Sequence, residues 1–471
     1  MIDGRRDGER RRILVVGLDG AEPRLVFDAW RNDLPTISRL MSQGVWGPLE
    51  STIPAITVPA WASMMTGRDP GQLGLYGFRN RVDNSYSRLS IANATAIRYP
   101  RVWDLVSGAG GRVGVVSVPQ TYPIRPLNGE VVSCFLTPGP ESQYAYPYAL
   151  KSEIEGWIDG EFLVDVPDFR SNDKERILRD IHRMADQHFE ICRRLLARQT
   201  YDFFMTVDMG VDRIHHALWK FMDPAHPKHE PGHPLASAIH DYYVHVDRRL
   251  GELIDLVPSD TIVLVVSDHG GQAMLGGVCM NEWLIDEGYL SLAGYPDGLT
   301  PFDKVDVTWP RTKAWGDGGY YGRLFMNVAG REPDGVVRED EYEAVRDGLV
   351  DLVARLGDPD GRPLGSQAFK PEEIYREVRN VPPDLVVYFG DLDWRSVGSV
   401  GLRSIWTFEN DIGPDDANHS QHGIFVLHDP LAPRGGRRLD DLRIYDIAPT
   451  LLGLLGLTPP DGIRGTAIEL G

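Results

Sequence analysis

The sequence predicts an α/β fold: a mostly parallel central sheet with helices on both faces, carrying inserted cap segments. Two observations point there. Short β-branched runs alternate with helical stretches along the chain, the order that builds parallel sheets. Three of these runs are followed at once by acidic residues: Asp19 after Ile13–Leu18, Asp208 and Asp212 after Phe203–Val207, and Asp268-His269 after Thr261–Val266. In such sheets ligands gather beyond the carboxyl ends of the strands. Acidic groups repeated at one kind of strand end therefore mark a site better than they mark solvated loop charge.

Taken in order, Arg12–Gly17 is a buried strand and Leu34–Gln43 a helix, opened by Asp33 and closed by Gly44. Ser51–Gly67 (STIPAITVPAWASMMTG) is the stretch the rest is organised around. Pro59 suits the first turn of a helix, because its missing N–H would be unpaired there anyway, and Gly67 ends the run. Thr57 thus falls at, or just ahead of, a helix N-terminus, whose partial positive charge and free N–H groups suit an alkoxide or a phosphate. A threonine there is equally at home as a plain N-cap. Arg112–Val118 reads as a strand, residues 140–200 as largely helical with Asn172–Arg198 the clearest amphipathic run, and Leu235–Leu256 as a long helix. Residues 275–335 look loop-rich. Glu339–Leu356 is a helix, Asp384–Phe389 and Gly423–Leu427 are strands, and Asp446 caps a last helix, Ile447–Leu455.

A chain of 471 residues can bury one large domain with insertions. Residues 1–12 read as a mobile arm and 13–471 as the catalytic domain, with insertions at about 68–160 and 275–400. The net charge of −19 argues against a nucleic-acid-binding face. It leaves room for a small phosphorylated substrate, since bound cations reverse the local sign. Three cysteines without close spacing, Cys134, Cys192 and Cys279, fit a reducing, cytoplasmic compartment. No apolar run reaches the roughly twenty residues of a membrane span. The oligomeric state is not legible.

Asp212 and His216 stand four apart, so on a helix both point the same way. Asp268 and His269 are adjacent and can serve one ion only if the chain turns, which Gly270-Gly271 permits. Each feature alone is bland. With Asp19, Thr57 and the loop Asn418–His422 they describe a site where carboxylates and imidazoles converge.

These segments together resemble the alkaline phosphatase superfamily, in its type I phosphodiesterase/nucleotide pyrophosphatase branch. The resemblance rests on GLDGAEP, STIPAITVPAWASMMTGRDPG, DRIHH, VVSDHGG, NHSQHGIF and YDIAPTLLGLLGLTPP, in that order over nearly the whole chain. VPQTYP and GREPDGVV are similar to a bacterial subgroup of the branch. The resemblance implies an alkaline phosphatase-like core and two divalent ions. One would be held by Asp212, His216 and a C-terminal histidine, the other by Asp19, Asp268, His269 and the Thr57 oxygen. Mixed imidazole and carboxylate ligands suit Zn²⁺, with Mn²⁺ the alternative. His419 and His422 compete for the last place; the subgroup's spacing selects His419.

The function implied is a two-metal phosphohydrolase, a phosphodiesterase with Thr57 as nucleophile and a phosphothreonine intermediate. A phosphomonoesterase of the same superfamily and a metal- or ligand-binding protein that keeps the fold without turnover are the alternatives. Nucleotide pyrophosphatases carry a phosphate-binding asparagine three positions after the nucleophile, where this chain has Ala60. Another donor must hold that phosphate oxygen, and Arg79, Arg81 and Arg213 are the candidates. Trp315, Tyr320 and Tyr321 are candidates either for covering a substrate or for the cap's core.

Overall fold

The computed structural model describes residues 11–470. Its centre is one mixed sheet in the order Arg437–Arg438, Val45–Glu50, His422–His428, Ile262–Val266, Ile13–Leu18, Phe203–Asp208, Val113–Val116, Gly129–Val132, Ala145–Tyr146. The middle of the sheet is parallel. Ile13–Leu18 runs with both Phe203–Asp208 and Ile262–Val266, in a register that sets Leu18 beside Asp208 and Gly17 beside Val266. Three carboxyl ends therefore finish at one level. Each of these strands is buried along its whole length, which is why it reads as a continuous apolar run. His422–His428 is antiparallel to both of its neighbours, and this makes the sheet mixed.

Two groups of helices flank the sheet. Pro35–Gln43, Lys174–Arg198, Gly210–Met222 and Ala238–Ile254 pack among themselves, as do Thr57–Thr66, Val102–Gly108 and Ile447–Leu454. Every residue of Thr57–Thr66 is buried, and Gly67 closes the helix in the left-handed conformation at φ 67°.

Of the two segments expected as insertions, 275–400 carries a core of its own. A four-stranded sheet of Ala314–Asp317, Gly322–Met326, Leu385–Tyr388 and Gln367–Phe369 packs there with the helix Tyr342–Ala354. The other, 68–160, lies largely within the main fold: Val113–Val116, Gly129–Val132 and Ala145–Tyr146 are strands of the central sheet. The pairing of Val113–Val116 with Phe203–Asp208 draws the segment in. Residues 140–200 contain two helices, Leu150–Trp157 and Lys174–Arg198, with non-helical backbone between them. The strand Val45–Glu50 was hidden by Gly47 and Pro48, although it alternates buried and half-buried residues. The expected arm, 1–12, lies outside the described residues except for its last two. Those are tied down, Arg11 to Asp429 at 2.5 Å and Arg12 to Asp260 at 3.4 Å. Among the described residues no helix is long and apolar enough to cross a membrane.

Candidate active site

Gly17 shows how a strand residue prepares the site. A Cβ there would lie 2.4 Å from the Trp61 ring. Its absence lets the indole rest on the strand and donate from Nε1 to Asp19 Oδ2 at 2.7 Å. Gly20, at φ 71°, turns the chain where a Cβ would meet Asp212 Oδ1 at 3.3 Å. Asp212 and His216 ride the first turns of the helix Gly210–Met222. Asp268 and His269 bridge from Ile262–Val266 into a short strand, Gly270–Ala273. That strand pairs antiparallel with Ala417–Ser420 and sets Gly271 opposite His419. The stretch before His422 is thus a strand rather than a loop, too short and polar to show an alternation. Asp19, Thr57, Asp212, His216, Asp268, His269 and His419 are all buried together.

The seven divide into two adjoining clusters. In the first, His216 Nε2 is 3.1 Å from Asp212 Oδ1 and 3.3 Å from His419 Nε2, and His419 Nε2 is 3.6 Å from Asp212 Oδ1. In the second, His269 Nε2 is 3.2 Å from Asp268 Oδ2 and 3.8 Å from Asp19 Oδ1, and Thr57 Oγ1 is 3.5 Å from both Asp19 Oδ1 and His269 Nε2. Atoms about 2.0–2.1 Å from a tetrahedral zinc ion lie roughly 3.3 Å apart, so both clusters have the dimensions of a ligand shell. The clusters abut: the imidazoles of His269 and His419 stack at 3.7 Å, and Asp212, His269 and His419 form a further cation-sized group.

Each imidazole is oriented the same way. Nδ1 of His216 faces Asp415 Oδ1 at 2.8 Å and the Ala417 carbonyl at 3.1 Å. Nδ1 of His419 faces the Ala55 carbonyl at 2.9 Å, and Nδ1 of His269 the Gly270 carbonyl at 3.0 Å. These partners only accept, so each Nδ1 carries a proton and each Nε2 faces the cluster, where it can ligate an ion once it carries no proton. That donor set fits a divalent cation in each cluster.

Electrostatics agree. Burial, then the charges of Asp268 and Asp212, push the Asp19 carboxyl well above the usual carboxylate range. Burial does the same to Asp268, and its Oδ2 has no hydrogen-bond partner among the described residues. For Asp212 burial works the same way, but His216 and Arg213 outweigh it and hold the carboxyl well below the usual range. Two buried carboxylates that repel one another are what a dication relieves.

Other residues near the strand ends do other work. Asp208 accepts from the Tyr242 hydroxyl at 3.0 Å and from Val211 N at 3.2 Å, so it starts the helix rather than joining the site. His215 turns away to stack on Tyr243, and burial lowers its pKa to about 3. His422 stands exposed on its strand opposite Glu50. Of the three candidate arginines only Arg213 reaches the site. It grips Asp165 at 2.8 and 2.9 Å and Asp212 Oδ2 at 2.5 Å. Arg79 is exposed, and Arg81 is buried in an ion pair with Glu332. Trp315 and Tyr321 belong to apolar clusters of the cap. Tyr320 lies over His216 at 4.7 Å and His419 at 4.2 Å between ring centroids. Sequence reading passed over Arg170, Arg395 and Asp415, which surround Tyr320. They sit in no motif, and only the doublet Asp415-Asp416 just before NHSQH could have drawn the eye.

The family description "type I phosphodiesterase / nucleotide pyrophosphatase" matches the sequence over residues 13–424. Among solved structures, murine ectonucleotide pyrophosphatase/phosphodiesterase 5, an inactive threonine-to-alanine form in complex with AMP, is similar. Its TM-score is 0.56 at 16% identity over 96% of each chain. The human protein of the same name gives 0.55 at 15% identity over 97% of each chain. At such identities the likeness speaks for the fold. No curated protein matches the sequence.

Proposed function

The chain belongs to the type I phosphodiesterase/nucleotide pyrophosphatase family, and from that premise we propose that it is a two-metal phosphodiesterase with Thr57 as its nucleophile. The observation that carries this reading is the pair of clusters, seven buried side chains at ligand-shell spacing with Thr57 Oγ1 in one of them. Asp212, His216 and His419 would hold one divalent ion; Asp19, Asp268, His269 and Thr57 Oγ1 the other. Zn²⁺ suits that donor set best, with Mn²⁺ second. When bound, the ions supply positive charge that favours the threonine alkoxide and neutralises the phosphate.

The remaining steps belong to the chain's own residues. Thr57 opens its helix, so the free N–H groups of the first turn favour negative charge on Oγ1 and on a phosphate beside it. Asp19 Oδ1, 3.5 Å away, is an acceptor for the hydroxyl proton. Attack of Oγ1 on phosphorus forms the Thr57 ester and breaks the bond to the leaving alcohol or phosphate. Water then attacks the same phosphorus and releases Thr57. Arg213 holds Asp212 in place while Tyr320 covers two imidazoles.

The substrate proposed is a small phosphodiester. Nucleotides are the first class to try, because a structural neighbour is an AMP complex. Ala60 stands where the branch carries asparagine, and Arg213, which reaches the site through Asp212, is the donor proposed in its place. The three cysteines are buried and unpaired, which supports a reducing, cytoplasmic setting. The test is a screen of the purified, metal-loaded chain against bis-p-nitrophenyl phosphate, p-nitrophenyl phosphate and a dinucleotide. Faster turnover of the diesters supports the reading. Preference for the monoester makes the protein a phosphomonoesterase, and bound metal without turnover makes it a binding protein.

A further inference from the structure

Asp415 lies outside both clusters, yet its carboxylate faces three basic side chains, His216, Arg170 and Arg395. Its side chain is fully buried. Oδ1 accepts from His216 Nδ1 at 2.8 Å. Oδ2 accepts from Arg170 Nε at 3.1 Å, Arg395 Nη1 at 3.3 Å and the Tyr320 hydroxyl at 3.4 Å. Arg170 also donates to the Tyr320 hydroxyl, so the donors to Oδ2 brace one another. The backbone adds a tie, Asp416 N to the His216 carbonyl at 2.8 Å.

We propose that Asp415 is a positioning residue for the metal centre of Asp212, His216 and His419, setting the orientation of His216 and its strength as a ligand. The inference rests on the two-metal reading above. A carbonyl acceptor on Nδ1 suffices to fix a tautomer, and Ala417 O provides one at 3.1 Å. A carboxylate there does more: it places negative charge behind the ring and strengthens Nε2 as a ligand. The other two imidazoles have only carbonyls, Ala55 O behind His419 and Gly270 O behind His269. The device is therefore confined to one centre. Five residues, Asp415 to His419, both supply a ligand and orient its partner, so this segment assembles the centre as it docks on the helix of His216.

The experiment is a Zn²⁺ titration of the full-length, metal-stripped chain in competition with a chromophoric chelator, alongside the melting temperature of the stripped protein. Asp415→Asn keeps an acceptor oxygen for Nδ1 but removes the negative charge behind the ring. It also strands two guanidiniums, so Asp415→Asn/Arg170→Gln is measured beside it, removing one cation with the carboxylate. Wild type is expected to bind two equivalents. Each variant is expected to weaken one equivalent about 10–100-fold and leave the other within twofold; the stripped single variant should melt below wild type because its arginines lose their partner, and the double variant less so. Two unaltered equivalents in the variants overturn the assignment of Asp415. So does equal weakening of both, which marks a purely structural role. A wild type that binds no Zn²⁺ overturns the two-metal reading itself, and this inference with it.

Discussion

In the cluster of Asp212, His216 and His419, charge is balanced by the protein. Arg213 and His216 face Asp212, and Asp415 faces His216. In the cluster of Asp19, Thr57, Asp268 and His269 it is not. Asp19 takes one indole N–H and Asp268 one backbone N–H from Gly20, and burial raises both carboxyls while Asp212 adds its repulsion. Similar side chains on the same strand ends thus make one centre whose ligand positions are fixed by internal ion pairs and one that leans on a cation. Thr57, the proposed nucleophile, is in the second, where the attraction for positive charge is greatest.

The largest effect that can probe this contrast is on turnover. Thr57→Ala should lower diesterase activity more than ~10³-fold, while Thr57→Ser keeps measurable activity. Asp19, Asp268 and His269 remain, so both metal equivalents should persist within a few-fold by chelator competition. A Thr57→Ala enzyme near the wild-type rate would reduce Thr57 to a helix start and end the mechanism.

Next come the carboxylates, for which the contrast predicts opposite signs. A carboxyl whose folded pKa is raised costs stability once pH passes its ordinary value, 3.8, because the unfolded chain ionises first. Asp268→Asn removes that cost. The metal-free protein should melt at the same or a higher temperature at neutral pH, even though one metal equivalent is lost. A carboxyl whose folded pKa is lowered contributes stability above 3.8 that disappears as pH falls through the folded value. Asp212→Asn forfeits it and leaves Arg213 and His216 short of a partner. Its metal-free form should lose about 1–3 kcal/mol at pH 7, read by denaturant unfolding. Equal losses in both variants would erase the distinction between the clusters.

A smaller effect belongs to Trp61→Phe. It keeps the ring against Gly17 but removes the N–H on Asp19 Oδ2. Asp19 then loses one of the contacts that favour its charged form. Activity should fall on the order of 10-fold, within the range seen for partners of metal ligands, with the affinity of the second centre changing and that of the first not. Loss at the first centre instead would mean that the clusters are one coupled unit.

The strands that end at the site were legible because each is buried on both faces and reads as an unbroken apolar run. Asp19, Thr57, Asp212, Asp268 and His269 each follow a strand or open a helix and His216 stands one turn after Asp212; position made each a candidate, and the family resemblance gave them their roles. Val45–Glu50 was not legible, since Gly47 and Pro48 break its alternation. Nor was the role of residues 68–160, whose membership in the main sheet depends on a pairing with Phe203–Asp208 far along the chain. Asp415, Arg170 and Arg395 come from three separate segments and meet only through tertiary packing. GREPDGVV, which looked like a subgroup signature, has a structural use: Glu332 is buried and accepts from Val328 N, Arg331 and Arg81.

The smallest effect expected is that of His422→Ala, and it bears on which histidine completes the first cluster. His419 is buried, with Nδ1 on the Ala55 carbonyl and Nε2 toward Asp212 and His216. The alternation of a strand sends residues three apart to opposite faces, but the chain turns between Ala417–Ser420 and His422–His428. His422 emerges exposed, paired across the sheet with Glu50. Its removal should leave both Zn²⁺ affinities and the diesterase rate within twofold of wild type. His419→Ala should empty the first centre, because Asp212 and His216 alone leave a tetrahedral ion two protein ligands short of closure where catalytic zinc leaves one position open. It should spare the second centre, whose four ligand atoms His419 does not supply. A chelator titration in which His422→Ala loses an equivalent and His419→Ala keeps both would reverse the assignment. The boundary between the two clusters would then have to be redrawn with His269 between them, the arrangement that the proximity of Asp212, His269 and His419 would allow.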